Sequence, residues 1–592
     1  MAAKEKTLFR VMQIIFIVFP FFYGMYYEFC GALAAVFTSG MLICLLLVNQ
    51  KLEIPLSVGF LLSVLFACCY FVTIPYSVDS GIAALGTVKI IWIPLFLIAC
   101  HQLPLERRSK IFSIIPYIGV FLCLAGFAAY FLPWLKEYFY INGRLSSGFQ
   151  YANTFSLFLL TGLILLCDKK EMIWQDYLFS AVLLSGIALS GSRTVFVFTF
   201  LALLYLIIRH KNLKLAGGIS LFATILLLYI FWQKDVINIG RITTISFTDS
   251  TLLGRFLYAK DALGLLLKHP LGMGHMGYYY MENGIQTGVY SVQYVHNDLL
   301  QIGLDIGWIP MLFYLSAIIY CLFSKQIVHT KKILLLVIFM HGLLDFDLAY
   351  GAVLCIVFWI MDDQFLVRRS NRNDQLPVQQ GNQSDKVPVR QGNQSDKVLV
   401  RQGNQSDKTI TMAGKKWLAV LSLIFLVGLY LSIPLIARYQ NRMDIAIKWY
   451  PWDTEAKLAL LSESEDVEKV NQLADEILQQ NGTCSLAYYA KAMAANCNND
   501  YENMIKYQKK AISWDYFNHD VYANYAYMLY DGICYAAATD NEEMYAMCRK
   551  EILAVPSYMQ SAKKRLGKLG KMIDEQPDLE MDEDMKEIVN AM

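Results

Sequence analysis

The feature that most constrains the fold is a succession of long hydrophobic runs separated by short polar connectors. A helix needs about 20 apolar residues to cross the hydrocarbon core of a bilayer. About thirteen such spans are expected, so the chain is predicted to be an all-α polytopic membrane protein. The spans lie at 8–27, 31–49, 56–75, 82–100, 111–132, 151–167, 176–190, 194–208, 215–233, 300–324, 332–346, 349–363 and 417–437, and 332–363 could be one bent hairpin.

The composition agrees with this class. Hydrophobic residues make up 56% of the 592 residues and charged residues 17%, more apolar surface than a soluble protein of this length needs. The lipid bilayer is therefore an expected partner, and a net charge of +2 argues against nucleic acid as another. The first run, from Leu8 to Tyr27, is too long for a cleaved signal core and is predicted to be a retained span.

Basic residues in the short connectors predict the orientation, because such residues concentrate on the cytoplasmic side. Counted along the predicted spans, every basic connector falls on the side of the N-terminus. The N-terminus is therefore expected in the cytoplasm, with the loops 133–150 and 190–193 and a large loop, 234–299, outside the cell. The basic connectors are Lys4, Lys6 and Arg10; Lys51; Arg107, Arg108 and Lys110; Lys169 and Lys170; Arg209, Lys211 and Lys214; Lys325, Lys331 and Lys332; and Arg368 and Arg369.

Changes in composition divide the chain into four parts. Residues 1–363 form the expected transmembrane domain. Residues 364–416 are polar and repeat Gly-Asn-Gln-Ser-Asp-Lys from positions 381, 392 and 403, so they are predicted to be a disordered cytoplasmic linker. Residues 417–437 form a last span, which would carry residues 438–592 to the outside.

The C-terminal part has small and aromatic residues at helical spacing, most clearly in 487–515 and 519–532. The pattern loosely resembles tetratricopeptide (TPR) helix pairs, and a generic helical bundle is the alternative. Either fold would offer a surface for a protein partner rather than a catalytic site. The acidic tail, 575–587, is expected to be solvated. Four cysteines in this part, Cys484, Cys497, Cys534 and Cys548, permit disulfides without showing them.

Arginines on the predicted outer face need a reason, because positive charge there opposes the usual bias. Guanidinium groups stay charged and bind phosphate through two parallel hydrogen bonds, so several together predict a diphosphate site. The alternative is that each arginine reaches a lipid headgroup or pairs with an acid. The four arginines are Arg144 in the loop 133–150, Arg193 between two apolar spans, Arg241 early in the large loop and Arg255 after Gly254.

The end of the large loop contains a candidate base. His296, followed by Asn297, stands where the chain re-enters the membrane, and an imidazole can accept a proton from a hydroxyl group near neutral pH. A structural or capping role is the alternative. Earlier in the loop, Gly272 and Gly274 belong to a run, 269–274, that could form a tight turn whose amides face an anion.

His341 and Asp345 fall within the short predicted spans between 332 and 363. Buried ionisable groups in a membrane are functional candidates. These two could hydrogen-bond to a catalytic group or line a water-filled cavity, or they could belong to a short extracellular hairpin.

Neither a metal nor a cofactor is expected. No His-Glu-x-x-His or Cys-x-x-Cys motif is present, and no Walker or dinucleotide-binding glycine loop. If arginines neutralise a diphosphate, a divalent ion is not required. The energy for a reaction would come from an activated substrate or an ion gradient.

Taken together, residues 1–363 resemble the O-antigen ligase and polymerase superfamily of bacterial membrane glycosyltransferases. The motifs that carry the resemblance are Arg144, Gly148 and Asn153; Ser192-Arg193; Gly254-Arg255; Pro270, Gly272 and Gly274; His296-Asn297; Gly307; and His341 with Asp345. The resemblance implies a bacterial inner-membrane enzyme that transfers a glycan from a polyprenyl diphosphate donor to an acceptor hydroxyl, without nucleotide or metal. It makes His296 the candidate base and Arg193 and Arg255 the diphosphate ligands.

Single-step displacement by such an enzyme would invert the anomeric configuration. The acceptor, whether glycan, lipid or protein, stays open, and so does a polymerase that joins lipid-linked repeat units. Two readings from other classes also stay open. A transporter or flippase of lipid-linked glycans would use Lys89, within the fourth span, and a membrane scaffold would recruit partners through its C-terminal helices.

Overall fold

The computed structural model describes residues 2–108, 110–169, 171–210, 250–364 and 409–592. The predicted span 215–233, Arg241 and most of the linker, including its repeats, lie outside these ranges. The helices of the first part are α1 (Ala2–Phe21), α2 (Glu28–Asn49), α3 (Val58–Thr73), α4 (Ser80–His101), α5 (Leu105–Arg108), α6 (Ile115–Ala129), α7 (Pro133–Phe139), α8 (Ala152–Cys167), α9 (Trp174–Ser190) and α10 (Arg193–His210).

The second part continues from the large loop to the last apolar helix. Its helices are α11 (Ser250–Lys268), α12 (Gly277–Met281), α13 (Asp298–Ile306), α14 (Trp308–Phe323), α15 (His329–Gly342), α16 (Gly351–Asp362) and α17 (Lys415–Tyr439). The strands, which form two short antiparallel pairs, are β1 (Lys51–Pro55), β2 (Tyr140–Ile141), β3 (Arg144–Leu145) and β4 (Thr409–Ala413).

Five helical segments of the described residues are long and apolar enough to cross a membrane: Glu28–Asn49, Val58–Tyr76, Ser80–His101, Leu105–Ala129 and Lys415–Tyr439. Ala152–Cys167, Trp308–Phe323 and Gly351–Asp362 are shorter apolar helices. The predicted class, a helical membrane protein, is therefore confirmed. Helices occupy every predicted span that the structure describes, and the number that cross the bilayer stays a prediction.

The structure differs from the predicted boundaries at two places. The predicted span 300–324 is two helices, α13 and α14, which meet at Gly307. Gly307 has φ of +96°, a conformation that only glycine adopts without strain, and it interrupts the helix. The linker was predicted to extend to residue 416, but β4 already pairs with β1 and α17 begins at Lys415. This pairing ties the end of the linker to the connector between α2 and α3.

Contacts between connectors define one end of the helical bundle. Arg107 lies 3.4 Å from Glu5 near the start of α1. Lys331, near the start of α15, lies 2.8 Å from Asp363, and His101 at the end of α4 bonds Asp362 at 2.6 Å. These connectors are the basic ones that the sequence predicts to share a side, so their meeting at one end supports the predicted order of spans.

Helix α17 packs along α2 through close backbone contact. A Cβ added at Gly428 would lie 3.2 Å from the carbonyl oxygen of Ala32. Small residues allow helices in a membrane to approach closely and gain dispersion energy. The last apolar helix is therefore part of the bundle rather than a detached anchor.

The C-terminal part is helical and packs its helices in sequence as antiparallel neighbours. A core that includes Tyr522, Tyr525 and Leu529 holds its second half together. Met585 in the acidic tail is fully buried against it, so the tail is not simply solvated as expected. The helices are α18 (Met443–Trp449), α19 (Thr454–Glu463), α20 (Val467–Gln480), α21 (Ser485–Cys497), α22 (Tyr501–Trp514), α23 (His519–Ala538), α24 (Glu542–Lys563) and α25 (Glu583–Asn590).

This C-terminal part contacts the large loop directly. The Gly567 amide donates to the Thr287 carbonyl at 2.8 Å, the Thr483 hydroxyl donates to the Tyr280 carbonyl at 3.2 Å, and the Tyr516 hydroxyl donates to the Gln286 carbonyl. The described residues include all thirteen cysteines, and every one of them is unpaired. Burial and hydrogen bonding, rather than disulfides, hold this part together.

Candidate active site

The turn 269–274 anchors the large loop to the helices that follow it. Gly272 and Gly274 have φ of +84° and +83°, which the turn requires. The amide of Met273 donates to the Leu304 carbonyl at 2.7 Å, and that of Gly274 donates to the Asp305 carbonyl at 2.9 Å. The Gly272 amide donates within the turn, to His269. These amides therefore serve the fold and do not face an anion, contrary to the expectation.

His296 is held in a defined orientation at the end of the loop. Its Nδ1 lies 3.0 Å from the Tyr294 carbonyl. A carbonyl only accepts, so Nδ1 carries the proton and Nε2 keeps its lone pair in the neutral ring. The backbone has φ of +53°, uncommon for a residue other than glycine, and strain of this kind concentrates at functional sites. The arrangement leaves Nε2 as a proton acceptor.

The ring of His296 is packed between aromatic side chains. Its centroid lies 4.9 Å from that of Phe346 and 5.7 Å from that of Tyr258. Burial lowers the pKa of His296 below its ordinary value of 6.5; nearby Asp345 raises it and Arg255 lowers it further. The imidazole is therefore neutral at physiological pH, the form that a general base requires.

Arg255 belongs to helix α11 and lies near His296. It is three residues before Tyr258, so Arg255 and Tyr258 share one face of this helix. The Nη2 of Arg255 donates to Asp345 Oδ2 at 3.2 Å. Its Nε is buried and has no hydrogen-bond partner among the described residues. A buried guanidinium with an unused donor fits an anionic ligand, because leaving that donor unpaired costs free energy.

Asp345 organises this region. Its side chain is 1% exposed. Besides Arg255, it accepts hydrogen bonds from the Tyr151 hydroxyl at 2.8 Å, the Asn153 amide at 2.8 Å and the Phe346 backbone amide at 3.0 Å. Both oxygens of Asp345 are therefore occupied, and its contact with Arg255 fits the first alternative, a hydrogen bond to a catalytic group.

Arg144 belongs to the same network. Its Nη2 donates to the Asn153 side chain at 2.6 Å, and its Nε donates to the Ser190 carbonyl at 2.7 Å. Asn153 in turn donates to Asp345, so a chain of hydrogen bonds links Arg144 to Arg255. Arg193 begins α10, three residues after Ser190, and is partly exposed. The structure therefore brings Arg144 and the start of α10 to the Asp345 network.

His341 and Asn297 have structural partners. His341 Nδ1 lies 2.5 Å from Asp347 Oδ2, and Asp347 Oδ1 accepts from Thr154 at 2.7 Å. Asn297 caps helix α13, where its side chain accepts from the Leu300 amide at 2.9 Å, and its Nδ2 donates to the Leu343 carbonyl. The hydrogen bonds of both residues therefore go to the surrounding structure.

Asp345 and Asp347 have the spacing of an Asp-x-Asp metal motif, which the expectation of no metal site did not take into account. Their carboxylates are committed to different partners, Arg255 and His341. Among the residues that the structure describes, no group of three or more histidine, cysteine or acidic side chains could hold a metal ion. Arg241 lies outside the described residues.

Sequence reasoning missed the aromatic residues of the site. Tyr294 stacks on Phe346 with centroids 5.2 Å apart, and Tyr151 lies 4.7 Å from Phe346. It also missed a polar cluster beneath the loop, in which His275 Nε2 lies 3.1 Å from Glu28. Of these residues, only Tyr294 could have been noticed in the sequence, because it lies two residues before His296.

Lys89 of helix α4 contacts aromatic residues close to His296. Its Nζ lies 3.3 Å from the Tyr294 hydroxyl and 4.8 Å from the centroid of the Tyr26 ring. Both aromatic residues belong to connections at the His296 end of the bundle. The position of Lys89 therefore gives little support to the transporter reading.

Together, the fold and the site define a helical membrane protein in which the candidate base, His296, and Arg255 lie near each other at one end of the bundle. Residues 178–315 match a family model described as O-antigen ligase, Wzy_C. The match covers less than half of the chain but includes Arg193, Arg255 and His296, so the chain is similar to the O-antigen ligase family there. No match is found among curated proteins. The family supports a cell-surface glycan function of the ligase or polymerase type.

Proposed function

We propose that this protein transfers a glycan from a polyprenyl diphosphate carrier to an acceptor hydroxyl at the outer face of a bacterial inner membrane. The carrying observation is the pairing of His296, with Nε2 as a free acceptor, with Arg255, whose Nε is buried and unpartnered among the described residues. One group can take a proton and the other can hold an anion, and these are the two functions that the reaction needs.

In the proposed reaction, the acceptor hydroxyl gives its proton to His296 Nε2 as its oxygen attacks the anomeric carbon. The new carbon–oxygen bond forms while the bond from that carbon to the diphosphate oxygen breaks. The electron pair of the broken bond leaves with the polyprenyl diphosphate. Attack from the opposite side inverts the anomeric configuration, so retained configuration in the product would contradict this step.

Arg255 and Arg193 would stabilise the leaving group. Negative charge develops on the diphosphate as the bond breaks, and a fixed guanidinium in a water-poor site favours that charge strongly. Asp345 holds Arg255 in place, while Arg144 holds the loop before Arg193. Fixed arginines also need less reorganisation during the reaction than mobile lysines.

The outward location of the site follows from the predicted orientation. The basic connectors gather at the end of the bundle opposite to His296, as expected for a cytoplasmic end. The helices after α17 would then lie outside the cell, against the large loop. Their contacts with residues 280–288 make a role in supporting the loop or in binding a protein partner compatible with the same reaction.

A transfer assay in membranes that contain lipid-linked glycan tests the proposal. Wild type, His296→Ala and Arg255→Ala are compared at matched expression, with His269→Ala as the control because His269 lies in the same loop away from the Asp345 network. We expect both site variants to lose transfer and to accumulate lipid-linked donor, while the control stays active. Transfer by His296→Ala at the wild-type rate would reject the proposal.

The products of the same assay separate the remaining alternatives. A ladder of chain lengths indicates a polymerase, and transfer of one preformed chain indicates a ligase. The attachment point of the glycan identifies the acceptor as glycan, lipid or protein. Glycan export without new glycosidic bonds would instead indicate a flippase.

A further inference from the structure

A cavity of about 500 Å³ lies beside the candidate active site. Three parts of the chain line it: the connection between α1 and α2, the end of the large loop, and the junction between α17 and the C-terminal helices. Its volume is within the roughly 300–1,000 Å³ of small-molecule sites. The reaction chemistry described above does not use it.

The cavity wall presents aromatic surface. Tyr27, Phe29 and Tyr439 pack together, with centroids 5.0–5.8 Å apart. Tyr439 is 42% exposed although it ends an apolar helix. Aromatic rings offer broad faces against which the C–H groups of a sugar ring can stack, and they lose little conformational entropy on binding.

The polar groups of the wall are mainly acceptors. Arg438 bonds Glu28 at 2.9 Å, and it also bonds Glu455 at 3.1 Å and Asp453 at 3.0 Å. Of these three carboxylates, Glu28 and Glu455 line the cavity with Arg438, whereas Asp453 is fully buried behind the wall. Carboxylate oxygens accept hydrogen bonds from hydroxyl groups.

This wall disfavours the other parts of a lipid-linked donor. A diphosphate would meet two carboxylates beside a single guanidinium that is already bonded to them. A polyprenyl tail would shield the remaining acceptor positions of these carboxylates from water and offer them no hydrogen bond. An uncharged, hydroxyl-rich ligand satisfies both the aromatic faces and the acceptors. The exposed amide of Gln293 adds a group that can donate and accept.

The cavity is connected to the candidate base through one short segment. Gln293 and Tyr294 line the cavity, and the Tyr294 carbonyl orients His296. Tyr294 also stacks on Phe346, which contacts the His296 ring. A ligand in the cavity would therefore lie next to the segment that holds the base.

We infer that this cavity is a glycan subsite, which binds uncharged sugar residues of a substrate while the base acts on the neighbouring one. The inference rests on the proposed function for its place in the reaction, but sugar binding can be measured without transfer. The bound sugar belongs either to the acceptor or to the glycan of the donor, which share the same hydroxyl chemistry.

Binding is tested with full-length labelled protein in nanodiscs on an array of uncharged oligosaccharides. We expect wild type and His296→Ala to bind, and Tyr439→Ala and Gln293→Ala to lose most binding. Tyr439→Phe keeps the ring and should retain binding. Trp417→Ala, which changes an exposed aromatic residue at the other end of α17, is the control. Gln293 is an exposed loop residue, so its variant tests the inference even if Tyr439→Ala misfolds.

Kinetics then distinguish the two sources of sugar. With the donor in excess, Tyr439→Ala should raise the acceptor KM by up to about tenfold if the acceptor glycan binds here. If the donor glycan binds here, the donor KM rises instead. In both cases kcat changes little, unlike in His296→Ala.

Three results would overturn the inference: no array glycan bound by wild type, binding undiminished in both cavity variants, or displacement of bound glycan by inorganic pyrophosphate. None of them bears on the proposed function, which is rejected by active His296→Ala. Conversely, if the transfer assay rejects the proposed function but the protein still binds glycan through Tyr439 and Gln293, the assignment of the cavity stands.

Discussion

Arg255 and Asp345, 90 residues apart in sequence, lie 3.2 Å apart beside His296. The arginine comes from the large loop and the aspartate from the connection between α15 and α16. A buried charge of either sign is unfavourable alone, so each residue stabilises the other. The pair fixes the guanidinium at the place where the proposed diphosphate would bind.

This pairing predicts non-additive kinetics. Arg255→Ala should lower kcat/KM by about 10²–10³-fold, by analogy with loss of an oxyanion donor. Asp345→Asn should cause a smaller loss, because it acts through Arg255. In Arg255→Ala, adding Asp345→Asn should change little, and a double-mutant cycle measures that coupling. Full additivity of the two effects would show that Asp345 does not act by positioning Arg255.

Removal of the candidate base should affect the chemical step more selectively than removal of the arginine, which also binds the donor. His296→Ala is expected to lower kcat by about 10²–10⁴-fold, the usual contribution of general base catalysis, with little change in donor binding. Single-turnover transfer with bound donor measures this directly. His269→Ala, in the same loop, serves as the control. A change confined to KM would instead indicate that His296 binds substrate.

The pH dependence follows from the burial of His296. Its pKa is lowered from 6.5, mainly by burial, so the ring remains neutral to more acidic pH than a free histidine. Activity should therefore be level through pH 6.5 and fall only below it, as the ring becomes protonated. The acid limb of kcat/KM measures this pKa. Arg255 lowers it, so residual activity in Arg255→Gln should show the limb at higher pH.

Glu282 is expected to make the large loop sensitive to alkaline pH. Burial raises its pKa from 4.5 to about 8, although its carboxylate accepts from the Val292 amide. The folded state thus holds the proton more tightly than the unfolded state, so the stabilisation is complete below pH 4.5 and is lost as pH rises through 8.

Hydrogen–deuterium exchange of residues 282–292 tests this effect. After correction for intrinsic rates, protection in wild type should fall as pH rises toward 8, whereas protection in Glu282→Gln should change little. Peptides of α20, which belongs to a separate hydrophobic cluster, report whether the whole protein is affected. Equal pH dependence in wild type and variant would argue against a role for Glu282.

The turn 269–274 of the large loop should not tolerate a side chain at Gly272. A Cβ at Gly272 would lie 2.6 Å from the Asp305 carbonyl oxygen, and its φ is +84°. Gly272→Ala should therefore destabilise the protein by about 1–3 kcal/mol, the range for a residue held in a strained conformation. Gly264→Ala, in helix α11 with open space around its Cα, should be neutral or stabilising by up to about 1 kcal/mol. Thermal unfolding in detergent compares the two.

Local sequence patterns were sufficient to predict where the helices lie but not where they are interrupted. Apolar runs such as 31–49 and 82–100 match α2 and α4 closely, since a helix satisfies its own backbone in lipid. The break at Gly307 falls inside an apolar run, and hydrophobicity alone does not reveal it. The pairing of β4 with β1 was missed for another reason: its partners are separated by more than 350 residues.

Hydrophobicity, charge and side-chain chemistry are local properties, so the membrane class, the helices, and His296 and Arg255 as candidates could all be predicted from the chain. What each candidate contacts depends on the tertiary structure. It joined Arg255 to Asp345, directed the amides of the 269–274 turn to carbonyls, and placed Tyr439 beside Tyr27. Such contacts arise from packing between distant segments, so no short pattern in the chain encodes them.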